Sequence, residues 1–547
     1  MHTGAWKSVF LTGKVLVTFI LEFHMNLRHR LETAGTGLLR ILDSEKNLMP
    51  SGGYEAAHDL GRWWDAMLRL EETIGFVIPA ELEAASLRNL QLLTDNPDFL
   101  LMNRLDVPWL KQWAKINPHN FRETLLAYGG LIRRRHNLWA RECSLQLVRT
   151  MDRILQADGS FDFTKLGSWG RVPHTVDPSH SETKRGAWFD GTATSGRALE
   201  SLVWLLESTG EPSVLALAQR IAEHHLAYST NADGSIRQEI VDPESAGHNH
   251  SYLGTLRGLL LYGLHTGQRK YVDVVEATYR NGIRNQLVME SGWTAHDLGK
   301  IRFPNDHGDP VSDPASAGDS AQIALWLALR GGCDDLLDDV ERLVRARLIP
   351  SQLTEDDVHR NPERDFTPGQ IGAWCIHRST HAEKGCTPDV HAALIHTLCD
   401  IYSHAVTHSA IGTRINLHFD VENETVKVTS TRGERANVKV TVKQPDNILI
   451  RIPAWAPESS FRLAIDGETQ PLHRMGIFAW IPADALQSGC EIDLSFDLPT
   501  LHTEEKMISG RCYHFTWRGD EIVEIDPQDD PLPFYPSKKS SAGLDEQ

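Results

Sequence analysis

Residues 390–419 read VHAALIHTLCDIYSHAVTHSAIGTRINLHF, and the periodicity of the chain changes inside this stretch. Up to Ser403 the apolar residues recur every three or four positions, the spacing of one helix face. From Arg414 to Phe419 they alternate with polar ones, the period of a half-buried strand. A helical region therefore ends here and a β region begins.

Upstream, the helical spacing persists through Ser195–Ser208, Val214–Ala227, Tyr252–Thr266, Lys270–Gln286, Asp319–Arg330, Asp334–Arg345 and Val390–Ser403. Thr209-Gly210 and Thr266-Gly267 put glycine where a helix C-terminus takes a left-handed residue. Ala157-Asp158-Gly159-Ser160 recurs as Ala232-Asp233-Gly234-Ser235, a separation that suits two helical hairpins. Repeated hairpins over nearly 400 residues imply an open solenoid or a closed ring. The long polar loops 160–190, 230–251, 290–318 and 351–389, rich in His, Trp, Asp and Gly, favour an (α/α)6 toroid with these loops crowding one mouth. Downstream, Arg414–Phe419, Thr425–Ser430, Asn437–Lys443, Asn447–Arg451, Ser460–Asp466 and Glu491–Phe496 are short, alternating and β-branched, which predicts an antiparallel β-sandwich of about eight strands packed behind the ring. The resulting division is an N-terminal extension (1–24), an (α/α)6 barrel (25–408), a sandwich (412–520) and a C-terminal tail (521–547).

The bulk numbers fit this picture. A chain of 547 residues exceeds one hydrophobic core, and 41% hydrophobic with 23% charged residues is ordinary for a soluble globular protein. The net charge of −18 argues against nucleic acid as a partner. Val15–Leu21 is too short to span a bilayer and lacks a small-residue cleavage site, so no membrane association is expected. The seven cysteines form no dense framework and read as mostly reduced thiols, hence a cytoplasmic chain. Fifteen tryptophans and 26 histidines are residue types that line sugar pockets, indole against ring faces and imidazole against hydroxyls.

Two blocks carry a family resemblance. Gly385-Cys386-Thr387-Pro388-Asp389, its following helix and Arg414-Ile415-Asn416-Leu417-His418-Phe419 resemble the Cys-Cys-x-Pro-Asn block of the bacterial β-L-arabinofuranosidases, glycoside hydrolase family 127. Ile448–Trp455 is similar to that family's Leu-Arg-Ile-Pro-x-Trp strand, with weaker echoes at His58–Trp63 and Gly318–Ala321. The resemblance implies a glycosidase on a helical toroid with a sandwich. It also implies a zinc-bound cysteine nucleophile, whose ligands come from Glu-x-Cys and the cysteine pair. Here those positions hold Gly318-Asp319-Ser320 and Gly385-Cys386, so one ligand of four survives and the nucleophile is glycine. A thiolate needs the metal or a cation to stay ionised, so no zinc and no role as nucleophile for Cys386 are expected. The alternative zinc set Cys375-x-His377-x3-His381-x4-Cys386 fits no common module.

Glycoside hydrolysis calls for two carboxylates. Asp297, in Ser291–Asp297, stands near the family's acid/base position and is the first candidate, with Trp293 as a stacking wall and His296 holding a hydroxyl. Asp319 is the second, although it opens an apolar helix where a capping acid is expected. Substrate contacts are assigned to His58, Asp59, Arg62 and Trp63 on one helix, to Trp188 and Asp190, to His248 and His250, and to Asp389. The expected partner is a small oligosaccharide or glycoside, with a homodimer left open. The alternatives are a polysaccharide lyase or unsaturated-uronide hydrolase, disfavoured because the loops carry more Asp and His than Lys or Arg, and an inactive carbohydrate-binding relative.

Overall fold

The computed structural model describes residues 26–50, 56–104, 106–107, 119–157, 161–162, 165–166, 195–243, 246–284, 286–301, 304–305, 307–355, 357, 368–376 and 386–527. Contacts divide the chain into two compact units, one of Leu31–Ser403 with Thr500–Gln547, the other of Met1–Arg30 with His404–Pro499.

Among the described residues, twelve helices of seven residues or more build the helical part: α1 (Leu27–Arg40), α2 (Ala56–Ile74), α3 (Ala80–Leu93), α4 (Asn120–Arg135), α5 (Leu138–Ile154), α6 (Ser195–Thr209), α7 (Pro212–Tyr228), α8 (Asn249–Thr266), α9 (Arg269–Thr278), α10 (Pro314–Trp326), α11 (Leu337–Leu343) and α12 (Pro388–His404). Even-numbered members from α2 to α12, with α6 to α10 among them, form the inner ring. Their neighbours are buried on one stripe only. In α7 that stripe is Val214, Leu217, Ala218, Ile221, Ala222 and His225, whereas every residue of α8 from Asn249 to Gly263 is buried. Side-chain bonds follow the ring round. Arg122 of α4 meets Glu200 of α6, and Arg257 of α8 meets Glu200 and Asp319 of α10. Gln322 of α10 donates to Asp400 of α12 at 3.0 Å, and Arg69 of α2 reaches the same Asp400 at 3.0 Å. Gly61 lets α2 approach the Glu123 carbonyl of α4 so closely that no Cβ fits there. The toroid is closed.

The two ends of the ring differ. Inner-to-outer turns are tight, each with one left-handed residue: Gly75, His136, Gly210, Gly267 and Gly332. Outer-to-inner connections are long and deliver the chain to the N-termini of the inner helices. Two of them pair through the small ladder β3 (Ala246–His248) against β4 (Asp297–Gly299), with His248 opposite Asp297. Earlier in the chain, β1 (Leu42–Asp43) pairs with β2 (Met49–Pro50).

The second unit holds two sheets. One has the order β13-β14-β10-β6-β5, with β5 Val406–Ser409, β6 Gly412–Ile415, β10 Ile448–Arg451, β13 Arg474–Met475 and β14 Phe478–Ile481. The other has the order β12-β11-β15-β9-β8-β7, with β7 Val421–Glu422, β8 Val426–Arg432, β9 Arg435–Val442, β11 Arg462–Ile465, β12 Glu468–Gln470 and β15 Glu491–Asp497. Alternation sets their inner faces, Val438 and Val440 of β9 standing opposite Leu494 and Ile492 of β15. The β6–β10 pair is parallel, a departure from the wholly antiparallel expectation. In the Ile448–Trp455 block Arg451 is buried and its Nε donates to the Asn416 carbonyl at 2.6 Å, while Trp455 packs edge-on against Phe496. This motif serves the sandwich.

Two sequence boundaries shift. Strands β16 (Thr500–Lys506), β17 (Cys512–Arg518) and β18 (Glu521–Asp526) form a separate three-stranded sheet grouped with the helical unit, so the β region of 412–520 divides at 499/500. Residues 521–526, expected in the tail, are a strand. Five of the seven cysteines are free thiols, in keeping with the mostly reduced reading, while Cys375 and Cys386 form a disulfide. Residues 1–24 lie outside the described residues. No helix among those described is long and apolar enough to cross a membrane.

Candidate active site at the N-terminal ends of the inner helices

The first two turns of the inner helices bring a dense charged cluster to one end of the ring. Glu123 of α4 is its centre and is fully buried. It pairs with Arg62 Nε at 3.0 Å, Arg122 Nη1 at 3.1 Å and Arg197 Nη2 at 3.5 Å. Burial alone would raise the Glu123 carboxyl, but Arg122 and Arg62 outweigh it and hold the group well below the usual carboxylate range. Glu200, one turn deeper, is likewise lowered to about 2 against its burial, by Arg122 and Arg257.

Histidines bridge these ions in neutral form. Burial, then Arg197 and Arg62, pushes His250 well below its ordinary value. Its Nε2 accepts from Arg62 Nη2 at 3.0 Å, so the proton sits on Nδ1 and is donated to Asp319 Oδ2. Asp319 also receives Arg257 Nη1 at 2.7 Å, and burial nevertheless raises its carboxyl. Asp319 does not cap α10. Asp313 does, accepting from Ala315 N at 2.9 Å, which leaves Asp319 in the second turn facing the axis. His58 is pushed down to about 4 by burial, with Arg62 reinforcing it against the pull of Glu123. Asn120 donates to the Leu101 carbonyl, so its Oδ1 accepts from His58 Nδ1 at 3.2 Å. His58 Nε2 is then left facing Glu123 Oε1 at 3.8 Å and Asp389 Oδ2 at 4.0 Å.

Around this core stand the groups that solvent reaches. The Asp389 side chain is 20% exposed and that of His248 21%, against 0–7% for Glu123, Arg62, Arg197, His250 and Asp319. Asp389 Oδ1 has no hydrogen-bond partner among the described residues. His248 bonds Ser251 Oγ at 3.0 Å and lies 4.3 Å, centroid to centroid, from His296. His296 Nδ1 is 2.9 Å from Asp297 Oδ1, and the Asp297 side chain is buried.

Of the residues read from the sequence, the structure therefore joins His58, Arg62, His248, His250, His296, Asp297, Asp319 and Asp389 into one chain of contacts. Asp59 is buried beside them. Two aromatic assignments are corrected. Trp63 is fully buried and packs edge-on against Trp64 at 5.3 Å. Trp293 sits with Ala346, Tyr513, Phe515 and Trp517 in a hydrophobic cluster beneath the three-stranded sheet, because Glu505 of β16 holds Ser291 by its N and Oγ, both at 2.7 Å. Asp309, another loop acid, is bonded to Ser509 N at 2.6 Å. Trp188 and Asp190 lie outside the described residues. Sequence reasoning missed Glu123, Arg122, Arg197, Glu200 and Arg257, whose one signal is that each interrupts the apolar run of an inner helix.

The zinc site implied by the family resemblance does not fit these residues. Gly318 and Ser320 bring no ligand, and the Cys386 sulfur is bonded to Cys375. His377 and His381 lie outside the described residues. Among the described residues no group of three His, Cys, Asp or Glu is placed to hold a metal ion.

In one unit the inner helices form a closed ring with a polar site at their N-terminal ends, and the other unit is a β-sandwich. Several solved structures are similar to this fold. The chain is similar in fold to a family 127 β-L-arabinofuranosidase from Geobacillus stearothermophilus T6, at 15% identity, covering 90% of this chain and 80% of that one, with a TM-score of 0.54. A second family 127 β-arabinofuranosidase matches at 12% identity over 94% of this chain and 84% of that one, TM-score 0.56. Cellobiose 2-epimerase from Bacillus thermoamylovorans B4167 matches at 14% identity over 70% of this chain and 99% of that one, TM-score 0.50. The resemblance to family 127 thus holds as a distant likeness of fold. No protein-family model matches the chain, and no curated protein matches it in sequence.

Proposed function

We propose that this chain is a glycoside hydrolase acting on a small oligosaccharide or glycoside, with its chemistry at the N-terminal ends of the inner helices. The observation that carries the reading is Asp389. Most acids of the cluster are bound by arginine or histidine, whereas the Asp389 side chain is 20% exposed, with Oδ2 no closer than 4.0 Å to His58 and the buried Oδ1 without a hydrogen-bond partner among the described residues. It is placed to give its proton to the leaving oxygen of a glycosidic bond. The opposite role falls to His296, oriented by Asp297 through Nδ1 as a base is oriented by a buried carboxylate. His296 Nε2 takes a proton from water, the water oxygen bonds the anomeric carbon, and the C–O bond to the leaving group breaks as that oxygen is protonated by Asp389. Solvent then restores both groups. Asp297 and Asp319, first read as the catalytic pair, act in this scheme through His296 and through His250 with Arg62.

The likeness of fold to arabinofuranosidases supports a sugar substrate and makes an arabinofuranoside one member of the test panel. The purified chain is assayed against aryl glycosides and oligosaccharides by aglycone release and reducing-end formation. Hydrolysis that Asp389→Asn abolishes, with helical content retained, supports the proposal. Conversion of a free sugar to an isomer without any hydrolysis overturns it.

A further inference from the structure

The guanidiniums of the buried cluster are unevenly paired. Arg62, Arg122, Arg197 and Arg257 form their ion pairs with Glu123, Glu200 and Asp319, and Asp313 is a further buried carboxylate beside His248 and His250. His58 and His250 add no charge at neutral pH, since burial and the neighbouring arginines lower both. Arg197 is the most weakly paired of the four. Arg122 has Glu200 as well as Glu123, Arg257 has Glu200 and Asp319, and Arg62 holds Glu123 at 3.0 Å. For Arg197 the nearest carboxylate oxygen among the described residues is Glu123 Oε1 at 3.5 Å, already shared with two other arginines. Its closer contacts are neutral, His119 Nδ1 at 2.8 Å and Ser251 Oγ at 3.3 Å. Ser251 is itself bonded to His248, one of the two exposed members of the site. Arg197 thus lies one hydroxyl beneath the opening. The N-termini of α4, α6 and α8, which carry His119, Arg197 and Ser251, add their positive ends at the same spot.

We propose that Arg197, with Ser251, receives a carboxylate of the substrate, so that the sugar bound at this site is a uronic acid or another singly charged acidic residue. The inference rests on reading the ring mouth as a sugar site. A guanidinium fork beside a hydroxyl matches the planar geometry of a carboxylate. Burial, followed by repulsion from Arg62 and Arg122, pulls the Arg197 guanidinium down to about 9. The arginines were invisible to the loop census that disfavoured acidic substrates, because helices supply them.

The test compares matched pairs on the full chain: glucuronate and galacturonate against their amides and the parent neutral sugars, with inorganic phosphate and sulfate as further probes, by calorimetry and thermal shift. Aryl uronides are compared with aryl glycosides by kcat/KM. The acids are expected to bind ~10- to 100-fold more tightly than the amides, the range for one charge-assisted contact. Arg197→Gln should erase that preference, Arg197→Lys should retain part of it, and Ser251→Ala should reduce it. If Arg197→Gln does not fold, the acid-to-amide ratio of the wild-type chain and of Ser251→Ala decides. Equal binding of acid and amide, tighter binding of phosphate than of uronate, or equal loss on acidic and neutral ligands in Arg197→Gln overturns the inference. Hydrolysis restricted to neutral glycosides overturns it while leaving the hydrolase proposal standing. Selective uronate binding without cleavage of any glycoside does the reverse.

Discussion

Replacing Glu123 by Gln tests the charge arrangement at its centre. The substitution keeps the size and one acceptor oxygen but removes the charge that Arg62, Arg122 and Arg197 share at 3.0, 3.1 and 3.5 Å in a fully buried position. Arg122 keeps Glu200, but Arg62 and Arg197 lose their only carboxylate ion pairs among the described residues. Breaking a buried ion pair from one side costs ~3–5 kcal/mol, because the partner charge stays desolvated. That is a large share of the ~5–15 kcal/mol by which proteins are stable. With a urea m-value of about 3 kcal/mol/M, the unfolding midpoint followed by far-UV circular dichroism should fall by ~1 M or more.

The pH dependence has a definite sign. Glu123 titrates below its ordinary 4.5 when folded, so its stabilisation is complete above that pH and is lost as pH falls toward the folded value. The gap between wild type and Glu123→Gln should therefore be widest near neutrality and narrower by ~2 kcal/mol at about pH 3. A gap below ~1 kcal/mol at pH 7, or one that is the same at pH 7 and pH 3, would refute the reasoning.

Asp389→Asn should lower kcat by ~100- to 10,000-fold with the helical signal unchanged; near-normal turnover removes it as proton donor. His296→Asn and Asp297→Asn should each reduce kcat substantially, and the double variant little further, because the two act as one unit; additive losses in initial-rate assays contradict that pairing. Alkylation of the unfolded, unreduced chain should mark five cysteines by mass, and reduction should expose two more. Converting Cys375 and Cys386 both to Ser should cost ~3 kcal/mol in a denaturant melt, the loop-closure value for their separation of 11 residues.

The helical ring was legible because its signals are local. Apolar spacing marked most of the helices, and Gly210 and Gly267 marked the tight turns where φ is positive. The starts of the inner helices were harder. Asp319 looked like the capping acid of its helix, yet Asp313 caps it, and the π-helical turns Tyr279–Ile283 and Leu327–Gly331 extend two helices beyond their α-helical ends. The three-stranded sheet escaped as a separate body because Thr500–Lys506 is almost wholly polar and exposed. Its inward side chains are Tyr513, Phe515 and Trp517, which pair with the helical unit through the cluster around Trp293.

The site was half legible for a reason that also explains its chemistry. His58, His248, His250, His296 and Asp389 stand where loops meet helices, and a search for polar residues at helix mouths finds them. Arg197, Glu200 and Arg257 lie inside apolar helices, where a lone charge reads as a solvated face. Arg257 is flanked by Leu253, Leu256, Leu259 and Leu260, all buried, so no solvated face exists for it. A charge in that position must find its counter-charge on a neighbouring inner helix, and each such demand passes to the next: Arg257 to Glu200, Glu200 to Arg122, Arg122 to Glu123, Glu123 to Arg62 and Arg197. The sequence of pairings ends with Arg197, held by a shared carboxylate at 3.5 Å, and near it Asp389 Oδ1 has no hydrogen-bond partner among the described residues. The packing of the ring thus leaves one cation and one acid for a ligand to complete, and it leaves them at the end where the long loops deliver the chain.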